Sequence, residues 1–297
     1  MVPPIVHEIL AHTALNPVQG MPFKWSLNPY KGCAHACSYC YARAYHAFLN
    51  LPASAFESRL FVKTNLPCVL RSELRRPSWK GEAVAIGTAT DPYQPLEAQY
   101  RVTRGCLEAM ADLDNPGSIT TKGTLVTRDI DVLADLASRA DFVVNISLVS
   151  LDRDLLQRLE PGAPSPTSRL RAVEKLSSAG VPVSLFLSPV LPGITDQPSQ
   201  IEELVRAAAE HGARDVWGGA LRLAPGVREH FLAILGELFP ALSQDYQRLF
   251  ALGAYTPTGY QLRIESRVQA ARRQHGITTP SPIAAPAPRQ RQLALAM

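Results

Sequence analysis

Short apolar runs bounded by polar residues alternate along this chain with longer stretches whose apolar positions recur every three or four residues. Ala83, Val84, Ala85, Ile86 and Gly87 form one such run between Glu82 and Thr88, and read as a strand buried on both faces. Leu66, Val69, Leu70 and Leu74 mark one face of a helix that ends before Pro77, and Val102, Cys106, Ala109 and Met110 mark another. The same reading places strands over 25–28, 82–88, 118–122, 142–148, 182–190 and 215–223, with a further short strand over 60–63. Helices are predicted over 41–51, 66–75, 97–113, 129–140, 168–179 and 200–211, the last two closed by Gly180 and Gly212. Strand and helix alternating in this way imply an α/β fold with a parallel sheet, curled into a whole or partial barrel whose site lies at the C-terminal strand ends.

Three more helices, over 227–239, 241–252 and 259–275, follow the alternating region. The expected organisation is an N-terminal arm over 1–24, a core over 25–224, a helical extension over 225–276 and a tail over 277–297. Proline, alanine and glutamine dominate that tail and no acidic residue occurs in it, which predicts disorder.

Composition narrows the class. At 297 residues, 46% hydrophobic and 19% charged, the chain suits one large globular domain with appendages. A net charge of +4 permits an anionic partner such as DNA without requiring one. Five cysteines, an odd number, argue against a disulfide scaffold and for a reducing compartment. No signal-peptide pattern opens the chain and no apolar run reaches membrane length, so the expectation is a cytoplasmic protein without membrane contact.

The chemistry concentrates in one stretch. Cys33, Cys37 and Cys40 follow a CxxxCxxC spacing in a loop between the first strand and a helix, so three thiolates can converge on one inorganic body. A structural zinc wants four ligands, and no second cysteine pair is present; only His35 is near enough to complete the shell. Three cysteines suit a 4Fe-4S cluster with one iron left open to an exogenous ligand.

This motif, with the aromatic Tyr39 before the last cysteine, resembles the signature of the radical S-adenosylmethionine superfamily. Segments 87–97, 121–123, 147–152 and 160–164, with Arg169 and Leu170, resemble the branch related to spore photoproduct lyase, a DNA-repair enzyme. The resemblance implies a partial (β/α)6 TIM-like barrel with C-terminal helices and a flexible tail. It implies a 4Fe-4S cluster on Cys33, Cys37 and Cys40, with S-adenosyl-L-methionine on its open iron, reductively cleaved to a 5'-deoxyadenosyl radical. It assigns Tyr39, Lys122, Ser147 and Arg169 to the cofactor, and implies an external one-electron donor of the flavodoxin or ferredoxin type. The lyase pattern carries a hydrogen-donating cysteine at the end of the second barrel strand, where this chain reads Gly87, Thr88, Ala89, Thr90 and Asp91. The lyase's own route is therefore not expected.

Other residues carry two readings each. Asp91 and Tyr93, the catalytic candidates, and Gln94 and Glu97 follow the second strand between prolines, and contact substrate or form a hydrogen-bonded turn. His35 is expected to face solvent, and Arg43 and His46 to be ordinary helix residues. Arg75, Arg76, Trp79 and Lys80 suit a nucleic-acid groove or, equally, a solvated helix end with a buried Trp79. Gln292, Leu293, Ala294 and Leu295 resemble peptides that dock on the bacterial sliding clamp. The functional expectation is a radical enzyme acting on a substrate in nucleic acid, in the manner of a repair lyase. The alternatives are a small-metabolite or protein substrate, and a non-catalytic iron-sulfur electron-transfer or binding protein.

Overall fold

A computed structural model describes residues 3–278. The expected alternation becomes six parallel strands, Trp25–Leu27, Val84–Ile86, Gly117–Thr121, Phe142–Ser147, Val183–Val190 and Asp215–Ala220, lying side by side in chain order. Asn16–Pro17 adds an antiparallel edge beside Trp25–Leu27. Asp215–Ala220 is the opposite edge, and the two do not pair, so the sheet is a partial barrel with an open side.

Burial explains the sheet. Ile119, Val144, Ile146, Val183, Leu185 and Leu187 are almost fully buried on its helix-covered face. Against them lie Leu133 and Leu136 of the helix Ile130–Arg139, Val173 and Leu176 of Pro166–Ser178, and Ile201 and Leu204 of Pro198–Glu210. Each such side chain contributes about 1.5–3 kcal/mol, so this layer holds the barrel together. The helix Pro166–Ser178 starts where Ser165 accepts from the Ser168 N–H and Pro166 fixes the first turn.

A second, three-stranded sheet covers one end. The N-terminal strand Ile5–Ile9 pairs in parallel with Arg59–Lys63, which pairs antiparallel with Tyr30–Lys31 directly before the cysteine loop.

Several elements differ from expectation. The helix after the cysteines is a 3-10 helix, Tyr41–Leu49. The stretch over 97–113 divides into Glu97–Tyr100 and Val102–Ala111, because Arg101 is left-handed and the Glu97 carboxylate accepts the N–H groups of Thr103 and Arg104. A helix Arg153–Leu159 was not foreseen; Asp152 caps it through the Leu155 N–H. The expected C-terminal helices are Val227–Leu238, Ser243–Leu249 and Thr258–Gln274. Ile277 is buried and its N–H donates to the Arg272 carbonyl. The remainder of the expected tail, with Gln292, Leu293, Ala294 and Leu295, lies outside the described residues.

Candidate functional site

The cysteine loop is clamped at nearly every turn. Asn28 ties its start to the end of the second strand, accepting the Ala89 N–H at 2.7 Å and donating to Thr88 Oγ1 at 3.0 Å. Gly32 adopts φ +77, and a Cβ there would lie 2.7 Å from the carbonyl oxygens of Phe56 and Arg59. Its own carbonyl accepts from Thr90 and Gln94, and Gln94 Oε1 accepts the Ala34 N–H at 3.0 Å. The Ser38 N–H donates to the Leu159 carbonyl, and the Gly162 N–H to that of His35. Arg43 donates from Nε to the Cys37 carbonyl at 2.9 Å, then pairs with Glu57.

Cys33 and Cys37 are buried and Cys40 half-buried, and none forms a disulfide. Burial pushes all three thiols above their ordinary range, with Asp91 adding to the effect at Cys33 and Glu160 at Cys37. Thiolates in such a place need a cationic centre to stay ionised, which a metal cluster provides. Among the described residues no three His, Cys, Asp or Glu side chains converge on one metal ion. In a 4Fe-4S cluster each cysteine binds a different iron, and three soft sulfurs on one pre-set loop suit that group.

The residues assigned to the cofactor by resemblance come from four separate segments and meet around a fifth residue, Glu160. Tyr39 donates its phenol to Glu160, Arg169 pairs with the same carboxylate, and Lys122 Nζ lies 3.6 Å from it. Lys122 also donates to Ser147 Oγ at 2.5 Å, and Arg169 to the Ser147 carbonyl at 3.1 Å and the Pro164 carbonyl at 2.9 Å. Burial would raise the Glu160 carboxyl, but Lys122 and Arg169 outweigh it and hold the group below its ordinary range. Tyr39 moves up, through burial and the neighbouring carboxylate. Two cations against one carboxylate leave one positive charge in excess, suited to an incoming carboxylate.

Glu160 itself was not singled out from sequence. It opens segment 160–164, one of those that resemble the lyase branch, but nothing local showed that Tyr39, Lys122 and Arg169 would all reach its carboxylate.

Asp91 lies beneath the cysteine loop. Its carboxylate accepts from the Tyr93 N–H, Thr121 Oγ1 and the Lys122 N–H at 2.9, 2.5 and 2.7 Å, and lies 3.1 Å from His35 Nδ1. Burial opposes ionisation, yet His35 and these donors bring the group down to about 2. Tyr93 is buried and donates to Asp129 at 3.1 Å, while its backbone lies against Gly123.

Two expectations need correction, and two pairs of open readings narrow. His35 does not face solvent: it is 2% exposed, because Gly162 lies against its backbone and Asp91 takes its ring. Arg43 and His46 are buried rather than ordinary helix-surface residues, Arg43 as a loop clamp and His46 against Phe56 and the Arg59 carbonyl. Gln94 and Glu97 are fully buried in backbone-holding roles, so neither reaches a substrate. Trp79 packs edge-on to Trp25 and donates to Asn115, which agrees with the reading of a solvated helix end with its tryptophan packed into the fold.

The family model for the radical SAM superfamily matches residues 27–208. An uncharacterised protein of Mycobacterium tuberculosis is 39% identical over 266 residues, covering 88% of this chain and 78% of the relative. A radical SAM Nalpha-GlyT isomerase of Pseudomonas phage M6 is 28% identical over 171 residues, covering 56% of this chain and 33% of that protein. Among solved structures, spore photoproduct lyase complexed with dinucleoside spore photoproduct shares the fold with a TM-score of 0.68 at 15% identity, over 91% of this chain and 79% of that one. The chain belongs to the radical SAM superfamily, whose cofactors are a 4Fe-4S cluster and S-adenosylmethionine.

Proposed function

We propose that this chain is an enzyme that cleaves S-adenosylmethionine reductively and abstracts hydrogen from a substrate carried in nucleic acid. The observation that carries the reading is the meeting of Tyr39, Lys122 and Arg169 on Glu160, with Ser147 tied to both cations, next to the loop that bears Cys33, Cys37 and Cys40. When bound, the reduced cluster and the sulfonium together supply a primary carbon radical.

The chain's own residues hold and shield. Cys33, Cys37 and Cys40 would ligate three irons, and the excess positive charge of Lys122 and Arg169 over Glu160 would take the cofactor's carboxylate. Tyr39, fixed by Glu160 with Lys122 over its ring at 5.8 Å, gives the cofactor a rigid aromatic wall. Asp91 and Tyr93 hold the floor beneath this site, Asp91 by fixing His35 and the turn before Lys122. Such pre-set positions keep a radical close to one target atom and away from water.

A nucleic-acid substrate draws support from the lyase that shares this fold, which has been solved with AdoMet and dinucleoside spore photoproduct. The similar proteins include a named lyase and a named isomerase, and no cysteine stands at the end of the second strand, over 87–91, so a lyase-like reaction would need another hydrogen donor. The electron would come from a flavodoxin- or ferredoxin-type protein in a reducing cytoplasm.

The test is anaerobic reconstitution, dithionite reduction with S-adenosylmethionine, and chromatography for 5'-deoxyadenosine. The product is expected from the parent and not from Cys37→Ala. A fully loaded 4Fe-4S protein that forms none, even with damaged DNA present, removes the enzyme reading.

A further inference from the structure

The two faces of the sheet are unlike. In a parallel ladder, partners in register project to the same side. Ser147 pairs with Phe186 and Phe186 with Trp217, which makes one row; Ile146, Leu185 and Val216 make the row beside it on the opposite face. The second row is buried under helices. The first is buried at Ser147 and opens along its length, with Phe186 half-buried, Trp217 50% exposed and Ser188, two residues on, exposed. A closed barrel fills this space with layers of bulky side chains. Here the inner face keeps a half-exposed indole at its open edge.

That row begins at the cofactor residues, since Ser147 accepts from Lys122. At the far end Trp217 is fixed by Arg272, which lies over its ring at 5.5 Å and pairs with Asp215 at 2.5 Å. Past the end of the same edge strand, Arg222 stands over the exposed ring of Tyr255 at 5.2 Å and acts electrostatically on Tyr41. Tyr41 donates to the Thr88 carbonyl at the end of the second strand, so it occupies the same rim. Beside it Tyr45 and then Phe48, 84% exposed, continue a ladder of rings with centroids 6.4 and 6.2 Å apart.

We propose that Trp217 and Phe186 form a stacking subsite for one unpaired nucleobase, and that Arg222 and the Tyr41 ladder carry the flanking strand along the rim. The proposal rests on the radical-enzyme reading and names where its substrate sits. Rings accept the π-face of any base, and cations set between rings take the phosphates. A base stacked on this row would lie beside Ser147 and Lys122, and the open side of the sheet lets its strand remain outside.

The test uses the reconstituted full chain with S-adenosylmethionine, titrated anaerobically with a fluorescent single strand of about ten thymidines, its duplex, and a tyrosine-rich peptide. The single strand should bind more tightly than the duplex. Trp217→Ala should weaken it about tenfold or more, and Trp217→Phe should keep most of the affinity. Arg222→Gln should flatten the salt dependence by about one phosphate contact. Equal binding by Trp217→Ala and the parent, no binding of the single strand, or binding of the peptide in its place overturns the subsite. Deoxyadenosine formation, followed in parallel, separates the two readings: a parent that makes it without binding the strand loses the base subsite alone.

Discussion

Glu160 and Arg169 form an ion pair in which neither side chain reaches solvent, and Tyr39 gives its phenol to the same carboxylate. Two charges so placed have lost their hydration, and only their mutual contact and the surrounding hydrogen bonds offset that loss.

Removing the carboxylate therefore strands Arg169 and loosens Lys122 together. Glu160→Ala should lower the unfolding free energy by about 3–5 kcal/mol in urea titrations, and Glu160→Gln, which keeps an acceptor for Tyr39, by less. Equilibrium dialysis should show weaker S-adenosylmethionine binding for the alanine variant at temperatures where it remains folded. A loss under about 1 kcal/mol would mean that the pair is not formed as described.

Gly162 is a point of close backbone approach in the same site. A Cβ there would lie 2.1 Å from the Ala34 carbonyl oxygen, inside the cysteine loop. Backbone cannot yield as a flexible side chain can, so Gly162→Ala should displace the loop. The expected signs are a lower melting temperature and less iron bound per chain after reconstitution, while Gly236→Ala, where a Cβ meets nothing closer than 3.9 Å, should be tolerated. Full iron loading in Gly162→Ala would contradict the contact.

The fold and the cysteine loop were legible because their signals are local. Apolar runs such as 83–87 and spacings such as that of Cys33, Cys37 and Cys40 need no knowledge of the rest of the chain. Glu160 and His35 were not legible, since their roles depend on partners far along the chain: Glu160 meets Tyr39 across 121 positions, and His35 meets Asp91. A charged residue in a loop or short helix reads as solvated until the tertiary structure buries it. The break at Arg101 was missed for a different, local reason: apolar periodicity runs on through it, while the Glu97 carboxylate turns back to accept the N–H groups of Thr103 and Arg104.

Asp91 predicts a response to acid. Its folded-state value of about 2 lies below its ordinary 3.8, so the unfolded chain binds the proton more readily. The stabilisation is present above about pH 4 and is lost as the pH falls towards 2, with a size on the order of 2 kcal/mol. Asp91→Asn should lower stability at neutral pH and flatten its dependence over that window, as read by urea midpoints at a series of pH values. An unchanged slope between pH 2 and 4 would show that the His35 and backbone contacts do not hold the charge.

Burial alone does not make a cysteine a ligand, and Cys106 supplies the contrast. Burial and Glu97 raise its thiol as well, but it sits in the helix Val102–Ala111, away from the loop that gathers the other three. Cys68 is exposed on the helix Leu66–Leu74. Cys106→Ala should keep the full iron content of the parent and lose only packing, about 1–2 kcal/mol, and Cys68→Ser should change neither. Cys33→Ala, Cys37→Ala and Cys40→Ala should each lose the cluster's visible absorption, because a cubane held by two thiolates lacks an anchor. Iron and sulfide assays on the five variants decide the assignment: equal loading in any loop variant removes that cysteine from the ligand set, and loss in Cys106→Ala would add one.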